Sequence, residues 1–237
     1  MTFDVFLAFH VSPAIEAGKI GIKFGEFNAS CDDFTLKLIG KSGHAAYPHL
    51  SIDPIQMAVE VYNMIQNMKN RQLDQTQKVV ISVCVFEAGK AFNIIPDYAY
   101  LKGTVRTYNK EIKQNIKKQI EAIATSVANL HHGHYELEYR DGVIATINTP
   151  EVCKVLKEVV IDVIGNDNYR ELDTVSMGAD DFAYYVEKAK GAMMCLGTKN
   201  ENKDCIYPLH NSRFNVDEDV FSLGVEVYLK AICKYMK

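Results

Sequence analysis

Gly40-Lys-Ser-Gly-His-Ala-Ala-Tyr-Pro-His49 sets two glycines, a proline and two histidines directly after the strand-like run Phe34–Ile39. A glycine-punctuated turn at that point closes one element and opens another. Working outward, Asp53-Pro54 reads as an N-cap followed by proline at the first helical position. Ile55, Ala58, Val59, Tyr62 and Ile65 then recur at helical spacing, predicting a helix over 54–67 with those residues on its packed face. Lys78–Glu87 and Tyr98–Thr107 are rich in β-branched and aromatic residues and predict two strands. Lys110–Leu130 carries the stripe Ile112, Ile116, Ile120, Ile123, Val127 and Leu130, with Lys113, Lys117 and Lys118 expected on a solvated face. His134–Arg140 supplies one more strand. The order strand, helix, strand, strand, helix, strand is the split βαβ or ferredoxin-like arrangement. Residues 29–145 are therefore expected to form one unit inserted into a second, built from residues 1–28 and 146–237.

The flanks read as α/β. Phe3–Phe9 is apolar apart from Asp4, which predicts a strand buried on both faces with His10 at its C-terminal end, where ligands sit in open α/β sheets. Lys19–Phe24 alternates and predicts a neighbouring strand after a turn at Pro13. Beyond Val143, Pro150–Ile164 is helical by period and ends at Gly165. Ser176–Phe182 opens a further helix and Ala192–Leu196 is a short buried strand. Asp217-Glu-Asp219 starts the last helix, with Lys230, Lys234 and Lys237 at the end that favours cations.

Of 237 residues, 48% are apolar, enough for a substantial core, and 26 basic against 30 acidic side chains leave a net charge of −4. That balance argues against nucleic acid and against an anionic membrane surface as partners. No window reaches the roughly 20 apolar residues of a membrane span. Met1–Val11 lacks a basic leader and is not read as a signal peptide. Cys31, Cys84, Cys153, Cys195, Cys205 and Cys233 are scattered without a CxxC pair, so reduced thiols and a cytoplasmic location are expected. A chain that starts on a buried strand suggests a further segment ahead of Met1.

Neutral imidazole is the commonest metal-binding side chain, and His10 and His210 each sit in an apolar setting. Their distance in sequence announces no site, and a hydrogen-bonded structural role is the alternative for each. His131-His-Gly-His134 falls where the second helix should stop, so capping with Gly133 in the left-handed conformation is expected rather than metal binding. His44, between Gly43 and two alanines, is uncrowded and open to a ligand, whereas His49 reads as a surface residue. Arg106 ends an apolar strand and could clamp a carboxylate, or equally form an ordinary ion pair at a sheet edge. Asn93 is an amide in an apolar turn that asks for a hydrogen-bond partner. Asp180 and Asp181 read as favouring a helix N-terminus.

Seven segments in order, FLAFHVSP, GKIGIKFGEFNAS, GKSGHAAYPH, AFNIIPD, LKGTVRTYN, SMGADDFAYY and YPLHNSRFNVDED, resemble the M20 family of metal-dependent amidohydrolases, in its aminoacylase-like branch. The resemblance implies an α/β catalytic domain of the zinc-exopeptidase type, interrupted by an α+β ferredoxin-like lid that pairs with its twin in a homodimer. It implies hydrolysis of N-acyl amino acids at a two-metal centre of zinc, manganese, nickel or cobalt. His10 and His210 would be two of its five usual ligands. His44 would reach the partner subunit's site and polarise the scissile amide, and Asn93 and Arg106 would hold the substrate carboxylate. The family draws its remaining ligands, a cysteine, a histidine and a glutamate, and its general-base glutamate from a segment ahead of the strand carrying His10. This chain has neither a Cys-x-His nor an adjacent Glu-Glu pair. The expectation is thus a partial enzyme whose missing segment is either supplied by a separate N-terminal polypeptide or lost from this chain. The alternatives are a catalytically inactive remnant that dimerises and at most binds carboxylates, and a regulatory ligand-binding module, which leaves the His10 and His210 motifs unexplained.

Overall fold

Packing divides the computed structural model, which describes residues 4–236, into two units: residues through Asn28 together with those from Ile144 onward, and Ala29–Val143. Phe3 and Lys237, used above as strand and helix ends, lie outside the described residues. The chain begins with strands β1 (Val5–Glu16), β2 (Ile20–Ile22) and β3 (Gly25–Asn28). The second unit follows as β4 (Cys31–Ile39), β5 (Gly43–His44), helix α1 (Pro54–Arg71), β6 (Val79–Ala88), β7 (Ile94–Ile95), β8 (Tyr98–Thr107), α2 (Lys110–Leu130) and β9 (His134–Val143). The first unit then resumes with β10 (Thr146–Asn148), α3 (Pro150–Ile164), β11 (Tyr169–Glu171), α4 (Ala183–Lys188), β12 (Lys190–Lys199) and α5 (Phe221–Tyr235).

In the Ala29–Val143 unit the antiparallel sheet runs β6-β8-β4-β9, the ferredoxin-like order, with α1 and α2 packed against it. Alternation along β4 turns Phe34, Leu36 and Leu38 inward and leaves Thr35 and Lys37 on the other face. They meet Met57, Val61 and Ile65 of α1 and Ile116, Ile120 and Val127 of α2 in one cluster. Each large apolar side chain so buried contributes about 1.5–3 kcal/mol. Asp53 and Asn109 accept backbone N–H groups and cap the two helices.

Two sequence expectations fail here for tertiary reasons. Lys113, assigned to a solvated face, is buried, with Nζ 2.8 Å from Asp32 Oδ1 and 3.4 Å from Asp141. An irregularity between Cys31 and Asp33 breaks the β4–β9 register and leaves the wholly buried Asp32 carboxylate in need of a cation. Tyr139 Oη and the Gly142 N–H donate to the same carboxylate, each at 3.0 Å. Conversely Ile55, Val59 and Tyr62, expected on the packed face of α1, are exposed on its flank, and Leu130 is exposed at the end of α2. At that end His132, not Gly133, takes the left-handed conformation. Gly133 is required for space, because a Cβ there would lie 2.8 Å from Met57 and 2.9 Å from the Ile39 carbonyl oxygen.

The other unit is built on a sheet ordered β1-β12-β2-β11, in which β1 runs parallel to β12 and β2 antiparallel to it. The Lys19–Phe24 run therefore neighbours β12 rather than β1. Pro13 is no turn: β1 continues past it to Glu16, so His10 is mid-strand, opposite Cys195. Nor is β1 buried on both faces. Its residues from Val5 to Pro13 are half-buried, because β1 is the edge of the sheet. Val5, Leu7 and Phe9 pack on the face covered by α3 and α5, and Phe6 and Ala8 on the face that carries Phe182 and Val186. Residues 176–182 are irregular, with Ser176 bridged to Asn28 and a turn at 181–182, instead of a helix, and α4 starts only at Ala183. Asp217 caps a short 3-10 turn, Glu218–Val220, that leads into α5.

Candidate active site

The glycine-rich stretch folds as a tip beyond the lid-like sheet, held by backbone contacts from two sides. Gly40 N donates to Asp97 O at 2.8 Å, Ser42 N to Asp97 Oδ1 at 3.2 Å, and Lys41 and Ile52 exchange hydrogen bonds. A Cβ on Gly40 would stand 2.1 Å from the Ile52 carbonyl oxygen, so this approach is open only to glycine. β5 then pairs antiparallel with β7, setting His44 opposite Ile94, and Ala45 N donates to Asn93 O at 3.1 Å. The ladder thus brings His44 and Asn93 together.

His44 is exposed, and the Ala46 N–H donates to its Nδ1 at 3.0 Å. With Nδ1 accepting, the neutral ring carries its hydrogen on Nε2. It is therefore a neutral donor suited to an oxygen that gains negative charge. Tyr47 lies beside it, ring centroids 5.8 Å apart. Phe92, which sequence reasoning passed over, is 100% exposed next to Asn93. A large aromatic residue placed in a turn, beside the one amide of that turn, was the available signal.

Arg106 lies elsewhere. It is opposite Val80 near the far end of β8, on the face shared with Lys102 and Thr104, while Tyr98 at the other end is next to the tip. Eight residues of extended chain separate Tyr98 from Arg106, about 26 Å. One Ala29–Val143 unit therefore presents His44 and Asn93 at one end and Arg106 at the other.

In the other unit, His10 Nδ1 is 2.7 Å from the Val11 carbonyl oxygen, so it donates and Nε2 keeps its lone pair. That is the usual state of a metal-bound imidazole. Cys195, opposite it, is no ready thiolate, since burial pushes its pKa up to about 11. His210 takes φ 66, a left-handed conformation uncommon for a residue with a side chain and concentrated at functional sites. Its loop is braced at the base by Asn200 and Lys203 on the Asp217 carboxylate, and across its middle by Arg213, which lies 4.1 Å over the Tyr207 ring and 3.0 Å from Asp204. Asp180 accepts the Phe182 N–H at 2.9 Å and serves the turn before α4. His131 bonds Glu60 at 3.0 Å across α1 and α2, and its hydrogen bond holds the Glu60 carboxyl below the usual range. Among the described residues no three His, Cys, Asp or Glu side chains group to hold a metal ion. The donors present do not make a complete metal centre. No described helix is long and apolar enough to cross a membrane.

Residues 30–132 match the M20 peptidase dimerisation domain. Thermostable carboxypeptidase 2 of Saccharolobus solfataricus is 33% identical over 98% of this chain and 58% of its own length, and N-acetylcysteine deacetylase of Bacillus subtilis is 29% identical over 92% and 56%. The chain thus spans a little over half the length of these relatives. A solved dinuclear metal-binding peptidase of the M20 family from Bacillus subtilis superposes with a TM-score of 0.73, covering 96% of this chain and 56% of that one, at 24% identity, a likeness of fold. The chain carries the dimerisation domain of the M20 peptidase family, set within α/β segments of the same fold.

Proposed function

We propose that this chain is the lid and part of the catalytic domain of a metal-dependent amidohydrolase that removes acyl groups from N-acyl amino acids. Residues 29–145 would be the lid, and 1–28 with 146–237 the catalytic part. The observation that carries the reading is the outward Nε2 hydrogen of His44 on a glycine-locked tip beside Asn93. His44 would donate to the amide oxygen as the carbonyl carbon becomes tetrahedral, and Asn93 and Arg106 would hold the substrate carboxylate. Two divalent metal ions, when bound, would supply an activated water. His10 and His210 could each give them one donor, but the remaining donors and the general base must come from beyond this chain. A deacetylase and a carboxypeptidase among the relatives support a small acylated or peptidic substrate.

Because His44 and Arg106 stand at opposite ends of one sheet, a substrate touching both would draw them from two protomers. A homodimer through the lid supplies that arrangement. Its face would be the free edge of β6 with Phe86, flanked by Ile55, Val59 and Tyr62 of α1.

The test joins this chain to the portion of the Saccharolobus carboxypeptidase that it does not span and assays N-acetyl and N-benzoyl amino acids with added zinc or manganese. Hydrolysis is expected, and His44→Asn should lower kcat about 10²–10³-fold. Mixing His44→Asn with Arg106→Ala protomers should restore part of the activity, because one site of each hybrid dimer receives both intact residues. No hydrolysis by the joined protein would overturn the reading, and steady hydrolysis by the chain alone would overturn its incompleteness. A second reading, an inactive dimer that binds carboxylates through Asn93 and Arg106, is favoured by the lack of a metal-binding group among the described residues. It requires that the joined protein bind acetylated amino acids without cleaving them.

A further inference from the structure

The tip that carries His44 also carries apolar side chains that the fold does not use. Ile94 stands directly opposite His44 in the β5–β7 pair, so its side chain leaves the ribbon on the same face, with the two Cβ atoms about 4.5–5.5 Å apart. The Tyr47 N–H donates to the His44 carbonyl oxygen at 2.8 Å, which holds the Tyr47 ring beside the imidazole and edge-on to His49. Phe92 comes two residues before Ile94, at most about 7 Å along the chain, and stands at the rim. Ile94 is 55%, Tyr47 56% and Phe92 100% exposed, and none of the three packs on the core shared by β4, α1 and α2.

Covalent geometry limits what a substrate can bring to this patch. An amide oxygen that accepts the His44 Nε2 hydrogen lies about 2.7–3.2 Å from that nitrogen. The first carbon of the acyl group is bonded to the same carbonyl carbon, about 2.4 Å from the oxygen, so the acyl group begins within about 6 Å of Nε2. The amino-acid half is bonded to the other side of that carbon. Asn93 follows Ala45 on the opposite face of the ribbon, and Arg106 lies at the far end of β8, so both candidates for holding the carboxylate stand away from Ile94 and Tyr47. The acyl body is the part of the substrate left to meet those two side chains. Neither Gly43–Tyr47 nor Ala91–Ile95 contains Asp, Glu, Lys or Arg, so a charged acyl group would find no ion partner in either segment.

We propose that Tyr47 and Ile94, with Phe92 at the rim, form the subsite for the acyl group and select an aroyl or other bulky apolar acyl group over acetyl. The inference deepens the amidohydrolase reading and rests on it. An acetyl group ends at its methyl carbon and covers little of this surface. A benzoyl ring continues past that point and lies against the Tyr47 ring, in the offset or edge-on contact that aromatic pairs prefer, while its burial removes the Ile94 side chain from water. The competing occupant is an apolar surface of a second subunit, which would bury the same side chains without discriminating between acyl groups.

The test uses the joined protein described above with N-benzoyl-alanine and N-acetyl-alanine, which differ only in the acyl group. kcat/KM should be at least about tenfold higher for the benzoyl substrate. Tyr47→Ala and Ile94→Ser should each lower that ratio at least about fivefold, and Tyr47→Phe should keep it, because the ring and not the hydroxyl makes the contact. A ratio near one in the parent protein, or variants that slow both substrates alike, would overturn the subsite and leave the enzymatic reading standing. If neither substrate is hydrolysed, the enzymatic reading fails and calorimetry on the same proteins tests the subsite separately. N-benzoyl-alanine should then bind at least about fivefold more tightly than N-acetyl-alanine, a difference that Tyr47→Ala removes, and equal affinities would overturn the proposal. Sedimentation of Tyr47→Ala and Phe92→Ala should match the parent protein; weakened association would assign these side chains to a contact between subunits and overturn it as well.

Discussion

Two edge strands of the described sheets, β6 in the Ala29–Val143 unit and β1 in the other, are each flanked by a helix with an exposed apolar stripe. They differ in what lies behind them. Behind β6 the core is closed: Phe34, Leu36, Leu38, Ile116 and Ile120 are sealed from solvent, and the buried Asp32 carboxylate has its cation and its donors. The edge itself is broken by an irregularity between Val83 and Val85, which shortens the regular ladder open to pairing. β1 has no such interruption over its apolar half, and its side chains remain half-buried on both faces. An edge over a finished core suits a partner that binds a folded surface, as a twin lid does.

Four measurements can break or sharpen that contrast. The largest effect should follow Asp32→Ala, which strands the Lys113 ammonium inside the lid and should cost about 3–5 kcal/mol in urea denaturation. The loss should be read in α2 and β9 amides and leave β1 exchange unchanged; a cost below about 1 kcal/mol would mean that the lid core does not depend on this network. Next, Phe86→Glu combined with Tyr62→Glu should weaken the proposed dimer at least tenfold in sedimentation, about 1.4 kcal/mol. Leu229→Glu should not, and the opposite pattern would move the proposed dimer face from β6 and α1 to α5. Third, Leu229→Glu by itself should shift the stability of the chain by no more than about 0.5 kcal/mol, because the residue it replaces is exposed. A large loss would show that the stripe is already covered.

The smallest effect concerns acid. Hydrogen bonds from Lys203 and then Asn200 hold the Asp217 carboxyl below the usual carboxylate range. A depressed folded-state pKa stabilises the fold above the unfolded value of about 3.9, and that contribution disappears as pH falls through the folded value. The loop carrying His210 should accordingly loosen first in acid, visible as faster exchange in residues 200–216, and Asp217→Asn should remove the pH dependence.

Much of this arrangement was legible residue by residue. Asp53-Pro54 marks a helix start because capping involves only neighbours within a turn, and the alternation of β4 follows from strand geometry alone. The exposed setting of His44 follows from the glycines and alanines around it. Lys113 was misread because its partner, Asp32, is 81 residues away and becomes buried only through an irregular register. Ile55, Val59 and Tyr62 were misread because a helical period finds an apolar face but not whether the same chain covers it. Phe92 carried no periodic signal at all.

By itself the sequence determined the order of elements, the ferredoxin-like unit and the tip that presents His44, since these rest on local periodicity, caps and glycine turns. Only the tertiary structure decided that His10 lies mid-strand on an edge strand, that His44 and Asn93 share one end of the Ala29–Val143 unit, and that Arg106 lies at the other. Those placements depend on strand register and sheet order, which arise from pairings between residues far apart in the chain.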